Sequence, residues 1–286
     1  MRLELGGVIR LTAPHRQLAL FLTGGAVGIY GRTGEPLVLE GVPTASSLGT
    51  FLGLMALTIV ATAAVRLWEQ HGSAGRPTMQ SMVMGVAGAG AGGAIVLALI
   101  AAGWPGFLVL VGILVLEWLF HLPPLFLGRR VPVELEVLLS EGLLLPLLGS
   151  VALGSPAPWE LAWLTVPVAG SLAVAGSLAI AALPGTGAGT EGRATMMANV
   201  LTPLWAAILA LGLVSASIAL LLAGRAVPLR PELALLASPV AIMAAVFGWI
   251  TLADPRPESR YARVELLTRV AGLALLVGVL VVVLFA

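Results

Sequence analysis

Glu117 and His121 stand four residues apart in an apolar stretch of a chain that is 59% hydrophobic and only 10% charged. On a helix, residues at that spacing share a face, so the carboxylate and the imidazole are neighbours. An ionisable group at membrane depth is expensive to desolvate, which makes Glu117 a functional candidate by default, as a proton relay or a polar contact. The plainer reading is a carboxylate near the membrane interface, paired with His121 or protonated. Five arginines offer a second chemistry: Arg66, Arg76, Arg129, Arg130 and Arg193. Guanidinium groups bind a diphosphate through forked, charge-assisted donors and need no metal ion to do so. Their plainer reading is loop charge that touches lipid headgroups on the cytoplasmic side. Glu69, Glu136 and Glu191 accompany them along the chain, five cations against three carboxylates, a difference of +2. For Arg129, Arg130 and Glu136 the plain alternative is an exposed Arg–Glu ion pair, worth at most about 1 kcal/mol.

Several chemistries are excluded by composition. There is no cysteine, hence no disulfide framework, thiolate nucleophile or cysteine metal site, and the three histidines are far apart, so no metal centre is expected. Asp254 is the one aspartate in 286 residues. The run Gly185-Thr186-Gly187-Ala188-Gly189 lacks the preceding strand and the Gly-Lys-Ser/Thr ending of a phosphate loop. All fifteen basic residues are arginine, the mark of a GC-rich genome, and a net charge of +1 makes no case for nucleic acid.

Positioning these groups falls to membrane helices. A mean hydropathy of +1.04 describes a polytopic membrane protein, and its apolar runs are helix-length rather than the short alternating segments of a barrel. The expected architecture is an all-α integral membrane bundle of nine transmembrane helices, in one domain covering residues 1–286. The spans fall at about 16–31, 45–67, 79–101, 104–122, 137–154, 160–183, 198–223, 232–252 and 264–286. The first apolar stretch is followed by no small-residue cleavage site, so no signal peptide is removed. Gly85, Gly88, Gly92 and Gly93 form a small-residue face suited to close helix contact. With these spans, twelve arginines lie on the amino-terminal side of the membrane and only Arg32, Arg225 and Arg230 on the other. That asymmetry places the amino terminus in the cytoplasm and the carboxyl terminus outside, in a prokaryotic cell membrane.

Three motifs resemble a known family. Ile9-Arg10-Leu11-Thr12-Ala13-Pro14-His15, running into Gly24-Gly25 and Gly28, is similar to the opening of the UbiA superfamily of intramembrane prenyltransferases, nearest the menaquinone-type naphthoate branch. Ala13 stands where that opening normally has arginine. Phe120-His121-Leu122-Pro123-Pro124-Leu125 resembles the family's aromatic-x-x-Pro-Pro-Leu, followed in the family's order by Arg129-Arg130, Glu136, Gly142, Pro146 and Gly149. Gly192-Arg193-Ala194-Thr195 resembles its Gly-Lys-x-Thr, with Arg193 at the lysine position.

The resemblance implies transfer of a polyprenyl group from its diphosphate to an aromatic acceptor, with Mg²⁺ held by two aspartate clusters. Mg²⁺ requires hard oxygen ligands in octahedral geometry, which carboxylates on helix ends supply. This chain departs from that pattern at both clusters. Counted back from Gly72, the first register falls on Ala64, Val65 and Trp68; counted back from Gly192, the second falls on Pro184 and Ala188. A slipped register leaves only Glu69 and Glu191, one carboxylate per cluster, so no metal ligand is carried over. The expected function is a UbiA-type bundle that handles a polyisoprenoid or quinone-related lipid, with metal-dependent transfer weakened or lost. Two alternatives are an active prenyltransferase that holds the diphosphate with arginines, and a transporter or accessory subunit that uses Glu117. Expected partners are membrane lipid and a polyprenyl diphosphate or quinone-like ligand.

Overall fold

The computed structural model describes residues 14–33, 45–71, 77–153, 159–181, 201–224, 231–254 and 260–285. These residues are helical almost throughout: α1 (Pro14–Thr33), α2 (Ala45–His71), α3 (Pro77–His121), α4 (Val133–Glu136), a π-helical stretch (Val137–Leu144), α5 (Leu145–Ala152), α6 (Trp159–Ala181), α7 (Pro203–Leu222), α8 (Pro231–Ala237), α9 (Pro239–Ala253) and α10 (Arg260–Phe285). Among the described residues, six helical segments are long and apolar enough to cross a membrane, and the protein is an integral membrane protein.

One of those segments, Gln80–His121, has 42 residues, which at 1.5 Å per residue is about twice the thickness of a hydrocarbon core. It is not a straight rod. Gly103 takes φ 59°, ψ −150°, a backbone conformation that glycine alone adopts readily, and Pro105 follows it. A Cβ on Gly106 would lie 3.3 Å from the carbonyl oxygen of Ala98, eight residues earlier; a continuous helix would hold those residues about 12 Å apart. The chain therefore turns back on itself here, and residues 77–102 and 104–121 form two antiparallel arms. This element packs on α2, α5 and the π-helical stretch, with Gly90 and Gly93 of the first arm against α2 and Gly112 of the second against Leu144.

Contact between α2 and the first arm runs along residues 87, 90, 94 and 98, the buried stripe of that arm. Gly90 meets the backbone of Leu57 and Ala61, and Gly93 meets the Leu57 side chain. The expectation that Gly85, Gly88 and Gly92 would make this contact is corrected: a Cβ on any of the three would meet nothing within 4 Å. They sit about 115–175° round the helix from the buried stripe, so their lack of a side chain opens space instead of closing a contact.

The motif glycines at 24 and 149 each face the backbone of the opposite helix where α1 and α5 cross. A Cβ on Gly24 would lie 2.1 Å from the Pro146 carbonyl oxygen, and one on Gly149 would lie 2.4 Å from that of Phe21. Both obstacles are backbone, so the helices would have to separate. We expect Gly24→Ala or Gly149→Ala to lower stability by about 1–3 kcal/mol, the usual range for overpacking. Thermal unfolding of the purified protein, with Gly92→Ala as the tolerated comparison, measures it. Further along, the span expected at 232–252 is interrupted: Ser238 separates α8 from α9, and its hydroxyl donates to the carbonyl of Ala234. Gly278 of α10 passes against the Ala237 carbonyl, where a Cβ would come within 2.1 Å.

Candidate functional site

α2 does not end where hydropathy falls, near residue 67, but continues to His71. Arg66 and Glu69 are therefore helical residues and not loop residues, and Arg66 points into the bundle, only 6% exposed. Its guanidinium binds three carboxylates. Nε donates to Glu117 Oε2 (3.1 Å) and Nη2 to Glu117 Oε1 (2.6 Å), a forked pair. Nη2 also donates to Glu136 Oε1 (2.8 Å), and Nη1 to Glu141 Oε1 (2.9 Å).

Each carboxylate has further support. Glu141 takes Arg16 of α1 on its other oxygen and a 3.1 Å bond from the Gln17 amide, and Gln17 in turn accepts from Thr62. Ser140 donates to Glu136 Oε1 at 3.2 Å. His121 Nδ1 lies 2.6 Å from Glu69 Oε2, while its Nε2 lies 3.5 Å from Glu136 Oε2 and 3.7 Å from Glu117 Oε2. Buried charges persist only when paired and hydrogen-bonded, and this cluster meets that condition with two exceptions. His121 Nε2 and Glu136 Oε2 are buried and make no hydrogen bond among the described residues.

The π-helical stretch makes the convergence possible. In an α-helix, residues 136 and 141 would point about 140° apart. Where hydrogen bonds run from i to i+5 each turn takes in more residues, so the angle between residues five apart narrows and both carboxylates face Arg66.

The arrangement relocates several of the residues singled out above. Arg66, Glu69, Glu117, His121 and Glu136 come together in one cluster. Glu136, for which an exposed pair with Arg129 or Arg130 was the plain alternative, is buried and bound by Arg66 of a different helix. Arg130 is exposed, and the side chain of Arg129 lies outside the described residues, as do Arg76, Glu191 and Arg193. The described cluster is a different set of charges from the one counted in the sequence, and in it two arginines face four glutamates. Arg16, Gln17, Thr62, Ser140 and Glu141 were missed. Glu141 carried a readable signal, a carboxylate inside an apolar span, and Arg16 only its position at the start of one.

Beside the cluster, between α2 and the two arms of α3, lies a cavity of about 170 Å³ lined by Ala61, Thr62, Val65, Ala87, Gly88, Ala91, Leu114 and Glu117. Gly88 is exposed and Val65, Ala91 and Leu114 are half-buried, so the cavity opens towards the outer face of the bundle. Its walls are apolar except for Thr62 and Glu117.

Two solved structures share this architecture. A UbiA homolog from Aeropyrum pernix K1 superposes with a TM-score of 0.66 over 95% of this chain and 98% of its own, at 15% sequence identity. A UbiA homolog from Archaeoglobus fulgidus gives a TM-score of 0.58, also at 15% identity, covering 97% of this chain and 99% of its own. The chain has the UbiA fold. No family model and no curated protein matches its sequence. Within the UbiA fold, the first carboxylate register suggested by the sequence can be tested against the structure: Val65 lines the cavity and Trp68 is half-buried, and neither offers a hard oxygen. The residues present at that position do not fit magnesium. Pro184 and Ala188, the second register, lie outside the described residues.

Proposed function

We propose that this protein binds a neutral isoprenoid or quinone-like lipid in the cavity between α2 and α3, and does not carry out magnesium-dependent prenyl transfer. The observation that carries this reading is the cavity wall. At the place where the resemblance puts a carboxylate cluster stands Val65, among alanines, Gly88 and Leu114, and the one charged side chain in the lining is anionic. An apolar cavity of about 150 Å³ accepts a benzene-sized molecule, so this one suits a quinone ring or a prenyl segment. A diphosphate would meet Glu117 there, and the buried Arg66 is already engaged by three carboxylates. Diphosphate recognition would have to use Arg76, Arg129, Arg130 or Arg193, with the amino terminus and the converging loops on the cytoplasmic side.

Gly88 provides the test, because a side chain added there meets open space and can fill the cavity mouth without disturbing a helix contact. Gly88→Phe should lower retention of a short-chain quinone or prenol by at least about tenfold, equivalent to roughly 1.4 kcal/mol, with unfolding temperature unchanged. Quantifying lipid extracted from the purified protein and titrating the quinone in detergent both measure it. Equal retention by parent and variant would remove the cavity from the reading. A prenyl diphosphate that binds more tightly than the matching prenol, and loses that advantage in Arg130→Ala, would favour the arginine alternative.

A further inference from the structure

We propose that Glu117, His121 and Glu136 form a binding site for one divalent transition-metal ion such as Zn²⁺, completed by Glu69 behind the histidine. The three residues each offer a ligand atom, and those atoms lie within 4.8 Å of one another. None belongs to the aspartate registers discussed above, and the inference does not depend on what occupies the lipid cavity.

The argument begins with the histidine. His121 Nδ1 is 2.6 Å from Glu69 Oε2, the contact of an N–H donor with a carboxylate. That bond leaves the Nε2 lone pair facing inwards in the neutral imidazole, and fixing one ring nitrogen on a carboxylate while the other faces the ion is how metal-bound histidines are held. Here the lone pair faces Glu136 Oε2 at 3.5 Å and Glu117 Oε2 at 3.7 Å. Three electron-rich atoms turned towards one point repel each other unless a positive charge, a proton or a metal ion, lies between them. Among the described residues, Nε2 and Glu136 Oε2 are the buried atoms of the cluster without a hydrogen bond, on side chains only 5% and 1% exposed.

Distance and charge agree. Bonds of 2.0–2.2 Å in tetrahedral geometry put ligand atoms about 3.4 Å apart, close to both separations. Among the ion-paired groups of the cluster, Arg16 and Arg66 stand against Glu69, Glu117, Glu136 and Glu141, a net charge of −2 with His121 neutral. One divalent cation brings that to zero, which the interior of a membrane protein favours strongly. An imidazole with two carboxylates suits zinc, manganese or iron(II) better than magnesium, which asks for six oxygens. Glu117 also borders the 170 Å³ cavity, which gives the ion a route in and leaves room for a fourth, exchangeable ligand.

The experiment uses the full chain in detergent, stripped with chelator and then titrated with Zn²⁺, with Co²⁺ as the spectroscopic probe. The expected result is about one ion per chain, a visible Co²⁺ spectrum of four-coordinate type, and a rise in unfolding temperature on adding Zn²⁺. His121→Ala and Glu136→Gln should each weaken binding by more than about 100-fold, and Glu69→Gln, which acts behind the ligand, by about 10–100-fold. Glu265→Gln, on α10, should bind as the parent does. If a ligand variant fails to fold, the parent titration and Glu69→Gln still decide the matter. No ion retained by the parent at micromolar Zn²⁺, or binding unchanged in Glu69→Gln and the ligand variants, overturns the proposal; the negative cluster would then be neutralised by protons or water.

Discussion

Replacing Arg66 with methionine should destabilise the protein more than any other single change in the bundle. The substitution keeps most of the side-chain volume and removes the guanidinium that joins Glu117, Glu136 and Glu141. Removing one partner of a buried ion pair typically costs about 3–5 kcal/mol, because the other charge is left buried and uncompensated. Here three carboxylates lose that partner at once, and among the described residues only Glu141 keeps a second arginine, Arg16. We expect Arg66→Met to lower the apparent melting temperature in detergent by roughly 10 °C or more. Arg66→Lys should recover part of the loss, since one ammonium cannot reproduce a fork spread over three acceptors. Neutralising the carboxylates together, in Arg66→Met with Glu117→Gln, Glu136→Gln and Glu141→Gln, should restore most of it, because no bare charge then remains. A single Arg66→Met variant as stable as the parent would show that the cluster is not ion-paired as described.

The second large effect concerns catalysis. Purified protein supplied with a polyprenyl diphosphate, an aromatic acceptor and Mg²⁺ should show transfer no faster than the uncatalysed background. Charge developing on a departing diphosphate is stabilised by bound metal to the extent of several kcal/mol, or orders of magnitude in rate. Val65 and Trp68 provide no ligand for such an ion, and the adjacent cavity presents Glu117 to the negative leaving group. Product formation measured with and without chelator tests this. Robust turnover abolished by chelator would mean that Glu191, or residues outside those described, hold magnesium after all. Restoring the register with Val65→Asp and Trp68→Asp is a stringent companion: the added carboxylates would increase the negative charge beside Glu117, so we expect a loss of stability and no gain in activity.

Membrane residence and an all-helical build were legible in the sequence alone, because hydropathy is a local, additive property and a crossing helix needs only a sufficient run of apolar residues. The likeness to the UbiA fold was legible as well, through the order of short motifs, and some of those motifs mark real contacts: Gly24 and Gly149 sit where α1 and α5 approach too closely for a Cβ. Glu117 and His121 were legible as a pair for the same local reason, one helical turn apart in an apolar segment. Which arginine they would meet was not. Arg66 lies 51 positions before Glu117 and 75 before Glu141, and its partners depend on how closely α2 packs against α3 and on how far the chain rotates between residues 136 and 141. The second of these is set by the π-helical stretch, which turns Glu141 to the face of Glu136 where the ordinary helical period would turn it away. The glycine face was misjudged for a related reason. Spacing identifies residues that share a side of a helix, but only packing decides which side is buried, and here the buried stripe runs through Gly90 and not through Gly85, Gly88 and Gly92. Sequence thus determined the solvent and the helices, through terms that sum along the chain, while tertiary structure decided the charge pairing, which depends on ångström-scale distances between segments far apart in sequence.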